Sequence, residues 1–288
     1  MNHIMYERQE SINRLLSQSE PFRVRYTETF KNNVDAAGYC LVAPRRDCSP
    51  LIYFGDWCEG SDEEIAAFLV DQFERYSLNN IGTVKDFLTG GNVLDFVLPR
   101  LVSADNIPAL EKNNILHCPV LDMTATFYCP VEIEGPQGTG ASVTLTKQML
   151  SHIGKSEAEI FFNAIRNAEA DCLLRPMSEI ISEFGMNISE PETDLPMYVI
   201  TNKRKTYGAS LLLSKKLMKK LEKALGSFAI LPSSIHEIIA VPCQKDSDLG
   251  YLKRMVEEIN ASEVEPSDRL TDSVYVYSDN RLQVWKPS

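Results

Sequence analysis

The first part of the chain switches between helical and strand-like spacing of its apolar residues. Residues 4–17 carry them at the spacing of an amphipathic helix. Residues 22–30 alternate apolar and polar side chains, which predicts a half-exposed strand. Two short apolar runs, 39–42 and 51–54, predict further strands with a polar turn between them.

A longer helix is predicted to begin at Ser61. Glu64 stands three residues later, so that each side chain can bond the other's backbone amide as a capping box. Apolar residues then continue at helical spacing as far as Tyr76. Two shorter helices are predicted over 84–88 and 93–101.

The middle of the chain predicts a hairpin and then helices. Strand character occupies 116–130 and 141–146, and the turn-like link EGPQGTG joins them. Residues 185–196 are polar and acidic with two prolines, which predicts a flexible loop. Helical spacing lies between the hairpin and this loop, over 146–153, 157–169 and 177–184.

After the loop, the pattern predicts the order β-β-α-β-β-α-β-β. The predicted ranges are 197–201, 208–213, 214–225, 228–231, 235–241, 249–259 and a hairpin over 274–285 with Asp279-Asn280 as its turn. Helices packed on antiparallel sheets define the α+β class. We predict two lobes, 1–112 and 113–288, with the acidic loop in the second.

Composition and charge narrow the class of protein. Hydrophobic residues make up 44% and charged residues 24%, and the formal net charge is −11. Such a chain is repelled by nucleic acid and anionic membranes unless it carries a local basic patch. The sequence has no long uncharged apolar run of the kind that spans a bilayer. Glu7 and Glu10 do not fit a signal peptide, so we expect a cytosolic protein without membrane partners.

The cysteines predict neither disulfides nor a metal site. Their number is odd, and no two of them form a C-x-x-C pair. Structural zinc sites need closely spaced ligand pairs. We therefore predict no bound metal and no cofactor. The seven are Cys40, Cys48, Cys58, Cys118, Cys129, Cys172 and Cys243.

Three stretches of the chain resemble one family of uncharacterised bacterial proteins, common in anaerobic gut Clostridia. They are residues 49–76, 197–213 and 228–277, and LPSSIHE in the third is the most specific. The resemblance implies a shared fold and a bacterial cytoplasmic protein, and it assigns no catalytic residues.

The LPSSIHE stretch brings two hydroxyls, an imidazole and a carboxylate together. On a strand, Ser234 and His236 share a face with Cα atoms ~6.6 Å apart, and Glu237 points to the other face. A nucleophile–base pair would make the protein a small hydrolase or transferase. Side chains two apart on a strand run parallel, which suits attack poorly. The alternative, which we favour, is a structural turn after Pro232.

A basic cluster opposes the overall charge of the chain. Lys203, Arg204 and Lys205 lie in a predicted turn, and Lys216 and Lys220 lie one turn apart on the next predicted helix. These five residues are candidates for an anion site that could hold phosphates. The alternative is a solvated helix face, since Tyr207 is the only nearby aromatic residue able to stack on a base.

The sequence therefore leaves three hypotheses. We favour a non-catalytic cytosolic protein that binds another protein. The alternatives are a hydrolase or transferase using Ser234 and His236, and a nucleic-acid-associated protein using the basic cluster. No pattern sets the oligomeric state.

We predict that all seven cysteines are reduced and that none binds metal, because their spacing suits neither disulfides nor zinc. Thiol titration of the protein denatured without reductant, with metal analysis alongside, checks this. Stoichiometric zinc or fewer than seven free thiols would contradict it.

Overall fold

The structure, a computed structural model, describes residues 2–44, 50–77, 93–131, 141–183, 196–232, 234–244 and 247–287. Its Cα positions group into two units, residues 1–93 with 130–143 and residues 94–129 with 144–288. Residues 94–112 thus lie with the second unit. The predicted lobes, 1–112 and 113–288, stay a prediction about which segments fold independently.

The first unit contains helices on a three-stranded antiparallel sheet of order β1-β2-β3. Its elements are α1 (Asn2–Leu16), β1 (Arg23–Lys31), β2 (Val34–Val42), β3 (Leu51–Tyr53), a 3-10 turn (Asp56–Glu59) and α2 (Asp62–Ser77). The predicted helices and strands of this region are confirmed. So is the capping box, because Ser61 N donates to Glu64 Oε2 at 2.8 Å and Glu64 N donates to Ser61 Oγ at 3.2 Å.

The core of the first unit lies between the two helices and the sheet. Phe22 stacks on Phe73 of α2 with ring centroids 4.1 Å apart, and both side chains are buried. Tyr39 of β2 is fully buried, and its hydroxyl donates to the carbonyl oxygen of Met5 in α1. Burial of this apolar surface is the main stabilising contribution to the unit.

Helix α1 also covers the open edge of the sheet. Asn13 accepts from Val24 N at 2.8 Å and donates to Val24 O at 2.9 Å, and Gln9 Oε1 accepts from Tyr26 N. These backbone groups belong to β1, which pairs only with β2 in the order of its sheet. Side-chain amides thus replace a missing strand at an edge that could otherwise pair with another chain.

The next part of the chain forms a small antiparallel sheet of order β4-β6-β5, and β7 also pairs with β6. The elements along this stretch are α3 (Val93–Phe96), β4 (Leu98–Ser103), a 3-10 turn (Ala104–Asn106), α4 (Ile107–Lys112), β5 (His117–Val120), β6 (Met123–Val131) and β7 (Ala141–Thr144). The predicted pairing of 116–130 with 141–146 is confirmed. The first range is itself two strands, which turn at Leu121, where φ is 56°.

The predicted helix over 93–101 is wrong beyond Phe96. Leu98 precedes Pro99, and a residue before proline favours extended backbone. Arg100 and Leu101 then pair with Thr126 and Ala125 of β6, which gives their backbone groups partners in a sheet. The predicted helix over 84–88 lies outside the described residues.

The rest of the second unit is built on a six-stranded antiparallel sheet of order β13-β12-β10-β11-β9-β8. Its strands are β8 (Cys172–Pro176), β9 (Tyr198–Asn202), β10 (Phe228–Leu231), β11 (Ile238–Pro242), β12 (Tyr275–Ser278) and β13 (Arg281–Val284). The helices are α5 (Lys147–Ile153), α6 (Glu157–Ala170), α7 (Met177–Glu183), α8 (Lys215–Leu225) and α9 (Leu249–Ser262). The α+β class is confirmed.

Strand β10 is the centre of this sheet and is buried on both faces. Ala229 and Leu231 pack with Leu252 and Val256 of α9. The alternate side chains point to the opposite face, where Phe228 stacks on Tyr277 of β12 with centroids 5.4 Å apart. A strand apolar on both sides requires cover on both sides.

The predicted strand over 208–213 is wrong, because Gly208–Leu213 form a 3-10 helix. Strand β9 already pairs with β8 on one side and β11 on the other, so the sheet offers this segment no free edge there. Strand β8 was not predicted. Strand β11 begins at Ile238, after a bend over the first residues of the predicted range.

The closing hairpin is confirmed. Asp279 and Asn280 form its turn with φ of 51° and 60°, the left-handed pair that a two-residue hairpin loop requires. Most of the predicted loop 185–196 lies outside the described residues. Within the part of the chain that the structure describes, no helix is both long and apolar enough to cross a membrane.

Replacement of Asn13 by alanine should lower the free energy of unfolding by about 1–3 kcal/mol, because both edge groups of Val24 lose their partner. Urea denaturation followed by circular dichroism measures the change. Glu10→Ala, at an exposed position on the same helix, is the matched control. Equal effects of the two variants would show that the edge contact stabilises nothing.

Candidate functional site

Two segments that the sequence singled out meet in the second unit. The turn after β9 carries Tyr207, and the segment before β11 carries His236. Tyr207 N donates to His236 Nδ1 at 3.3 Å, and the two rings stack with centroids 5.8 Å apart. Thr201 of β9 also donates its hydroxyl to His236 O at 2.8 Å. The pairing of β9 with β11 places both segments at the same end of the sheet.

The turn from residue 203 to residue 207 is strained and heavily braced. Lys205 and Tyr207 have φ of 52° and 58°, a region that non-glycine residues rarely adopt. The Asn202 side chain bonds Thr206 twice, donating to its carbonyl at 2.7 Å and accepting from its N–H at 3.3 Å. Ser210 donates its hydroxyl to Tyr207 O at 2.7 Å. Strain held in place by surrounding contacts is a feature of functional sites.

Gly208 fixes the distance between the two segments. A Cβ atom at this position would lie 2.5 Å from both His236 O and Thr201 Oγ1. Only a residue without a side chain permits this approach. The glycine therefore allows the Tyr207 ring to reach His236.

His236 is oriented by its neighbours. Because Nδ1 accepts the Tyr207 N–H, the neutral ring carries its proton on Nε2, which lies 3.6 Å from Asp268 Oδ1. The same stretch of chain is held again where Ile235 N donates to Asp268 O at 2.8 Å. The imidazole thus links the turn to the segment around Asp268.

Ser234 and His236 are not arranged as a nucleophile and its base. The Ser234 hydroxyl accepts from the backbone N–H of His236 at 3.0 Å, and no hydrogen bond in the described structure joins it to the ring. Ser234 is buried, with 7% of its surface exposed. Burial raises the pKa of the Glu237 carboxyl, against the opposing effects of His236 and Ser234. The catalytic interpretation of these residues stays a prediction without support from this geometry.

The structure divides the predicted basic cluster. Lys203 Nζ lies 3.5 Å from Asp171 Oδ1, and Lys216 Nζ lies 3.8 Å from Glu169 Oε2. Burial raises the pKa of the Cys172 thiol, while the charge of Lys220 acts in the opposite direction. Three of the lysines therefore surround the end of α6, where two carboxylates offset their charge.

Arg204 lines a small hollow, which is also lined by Asp171, the ion-pair partner of Lys203. The hollow has a cavity volume of about 10 Å³, room for one water-sized group. Leu98, Pro99 and Ala168 form its apolar wall, and Tyr128 and Asp171 also line it. We call it the Arg204 hollow.

Arg100 brings a second guanidinium to this region. It lies 5.0 Å from the centroid of the Tyr207 ring, and its Nη1 is 3.5 Å from the Tyr207 hydroxyl. Tyr128 meets Tyr207 edge to face at 5.3 Å. Burial raises the pKa of Tyr128 to about 12, while the charges of Arg204 and Arg100 act in the opposite direction. Two positive charges thus act on the Tyr128 hydroxyl.

Sequence reasoning missed Arg100 and Tyr128. The available signal was the arginine inside the apolar run Leu98–Val102, which a half-buried strand position explains. Their meeting with Tyr207 depends on the pairing of β4 with β6, far from the turn in sequence.

Comparison with known proteins identifies the family. Residues 4–279 match the model of a family of unknown function, DUF5688, and the chain belongs to that family. Neither the curated proteins nor the solved structures give a match. The class is thus an α+β family without an assigned activity.

His236→Ala should lower the free energy of unfolding by about 1–3 kcal/mol, because the Tyr207 N–H loses its acceptor inside a strained turn. Urea denaturation measures this, with the exposed His152→Ala as control, expected to change it by less than about 0.5 kcal/mol.

A fluorophosphonate probe separates the structural role of His236 from a catalytic one. We expect no labelling of Ser234. Labelling that His236→Ala abolishes would overturn the structural interpretation and establish a hydrolase.

Proposed function

We propose that this protein is a non-catalytic cytosolic binding protein, and that it holds another protein at the turn 203–207 and the adjoining Arg204 hollow. The observation that carries the proposal is the strained backbone of this turn. Two non-glycine residues adopt positive φ there, and side-chain hydrogen bonds from Asn202 and Ser210 brace it. A rigid, preorganised loop loses little entropy on binding.

The exposure of Arg204 supports a binding role. Its guanidinium has no ion-pair or hydrogen-bond partner within the described ranges, whereas Arg8 pairs with Asp62 and Arg175 with Glu183. In an acidic chain, an exposed cation on a fixed turn is available to a partner. Arginine is also the cation most enriched at protein interfaces.

The size of the Arg204 hollow argues against a small-molecule substrate bound at this place, whereas a cavity of about 570 Å³ lies elsewhere in the second unit, beside Pro242, Tyr251 and Leu252. Ligand pockets have volumes of roughly 300–1,000 Å³, and the Arg204 hollow has about 10 Å³. It admits a single protruding group and not a whole substrate. The partner must therefore make most of its contacts on the surrounding surface, as a protein does.

Selection from a random peptide library displayed on phage tests the proposal. Peptides enriched on the wild type should lose binding to a variant with Lys203, Arg204 and Lys205 replaced by glutamate, because the charges of the turn are reversed. The matched control reverses three exposed lysines of α8, Lys215, Lys219 and Lys223. It should keep the enriched peptides. Circular dichroism and a thermal melt verify that both variants fold.

Two outcomes would contradict the proposal. One is a set of enriched peptides that binds wild type and turn variant equally. The other is the absence of any enriched peptide while oligothymidylate binds with a steep salt dependence, which is the mark of phosphate contacts. The second outcome would instead support the nucleic-acid hypothesis.

A further inference from the structure

We infer that the Arg204 hollow receives the side-chain carboxylate of a glutamate in the partner, so that the protein recognises an acidic peptide segment. This inference rests on the proposed function and names the chemistry of its ligand.

Several hydrogen-bond donors that line the hollow have no acceptor in the described structure. The Asn202 side-chain amide donates a hydrogen bond to Thr206 O, and the Ser210 hydroxyl donates one to Tyr207 O. Among the described residues that line the hollow, the Arg204 guanidinium and the hydroxyls of Tyr128 and Tyr207 keep donors without an acceptor, since the Tyr207 hydroxyl only accepts from Arg100. A guanidinium and a phenol both donate, so the missing group is an acceptor, and a guanidinium prefers an anion.

The apolar wall of the hollow favours a ligand with apolar groups next to its charge. Leu98, Pro99 and Ala168 line the hollow beside these donors. The hollow has room for one water-sized group such as a carboxylate oxygen, so the two methylene groups of a glutamate side chain would lie outside it, against the apolar surface at its edge. A phosphodiester places polar oxygens next to its charge and gains less from the wall.

The charges around the hollow favour a ligand with a single negative charge. Asp171 also lines the hollow, and its carboxylate is offset by Lys203 at 3.5 Å. The Arg204 guanidinium lines the hollow with its positive charge, and the Arg100 guanidinium lies 5.0 Å from the centroid of the Tyr207 ring, which lines it too. A carboxylate with a single negative charge is repelled by Asp171 less than a phosphate monoester with nearly two.

The aromatic rings near the hollow are not free to stack on nucleic-acid bases. Binding of single-stranded nucleic acid depends on aromatic faces that are free to stack on bases. Tyr128 is buried, and the Tyr207 ring already stacks on His236 and contacts Arg100. These rings are therefore occupied by the protein itself, and the geometry favours a peptide over a nucleic acid.

Nuclear magnetic resonance spectroscopy of the 288-residue chain tests the inference. The probe is a blocked tetraglutamate peptide, with blocked tetraglutamine and oligothymidylate as comparisons. We expect saturable shifts at the backbone amides of residues 202–210 and at the Arg204 side chain with tetraglutamate alone. Chemical shifts report the weak affinity that one anchoring group gives.

Matched variants assign the contacts. Arg204→Gln should weaken tetraglutamate binding by about tenfold or more, since it removes a charge-assisted hydrogen bond. Tyr128→Phe should weaken it by about threefold, since a neutral hydrogen bond is lost. Arg254→Gln, at an exposed position on α9, should leave it unchanged.

Three results would overturn the inference: equal binding of tetraglutamine, competition by oligothymidylate for the same amides, or no effect of Arg204→Gln. Failure here is distinguishable from failure of the proposed function. If phage selection yields peptides that depend on the turn but lack acidic residues, the binding function stands and the carboxylate inference falls.

Discussion

Burial of β10 on both faces is the constraint on which the second unit depends. The strand has no exposed residue, so helix α9 covers one face and further apolar residues must cover the other. The 3-10 helix Gly208–Leu213 supplies part of the buried surface of this unit, and its first five residues are buried. To pack so tightly, its start must approach the backbone of His236, which only Gly208 permits. The position of the Tyr207 turn follows from this packing.

The candidate site thus results from core packing and leaves the Arg204 guanidinium exposed beside the hollow. The carboxylates at the end of α6 offset the nearby lysines, while Arg204 remains at a hollow lined by Tyr128 and apolar side chains. The overall charge of −11 makes long-range attraction of an acidic partner unfavourable. The proposed recognition of an acidic partner must then depend on short-range contacts at this hollow, which give specificity more than a fast association rate.

The residues that hold the proposed binding turn also stabilise the fold. His236 orients the Tyr207 turn through its Nδ1, and Ser234 caps the backbone of His236. Ser234 and His236 therefore hold the Tyr207 turn in place through hydrogen bonds. The Ser234 hydroxyl accepts from the His236 N–H, and only 7% of the surface of this residue is exposed. It is therefore poorly placed to attack a substrate.

The sequence by itself determined the α+β class, most helices, the capping box at Ser61 and the closing hairpin at Asp279-Asn280, because these depend on local periodicity and turn chemistry. Only the tertiary structure decided that Gly208–Leu213 is not a strand, since the edges of β9 were already taken by β8 and β11. It also decided which residues meet. Arg100 and Tyr128 are far from Tyr207 in sequence, and local patterns carry no information on contacts made by distant strands.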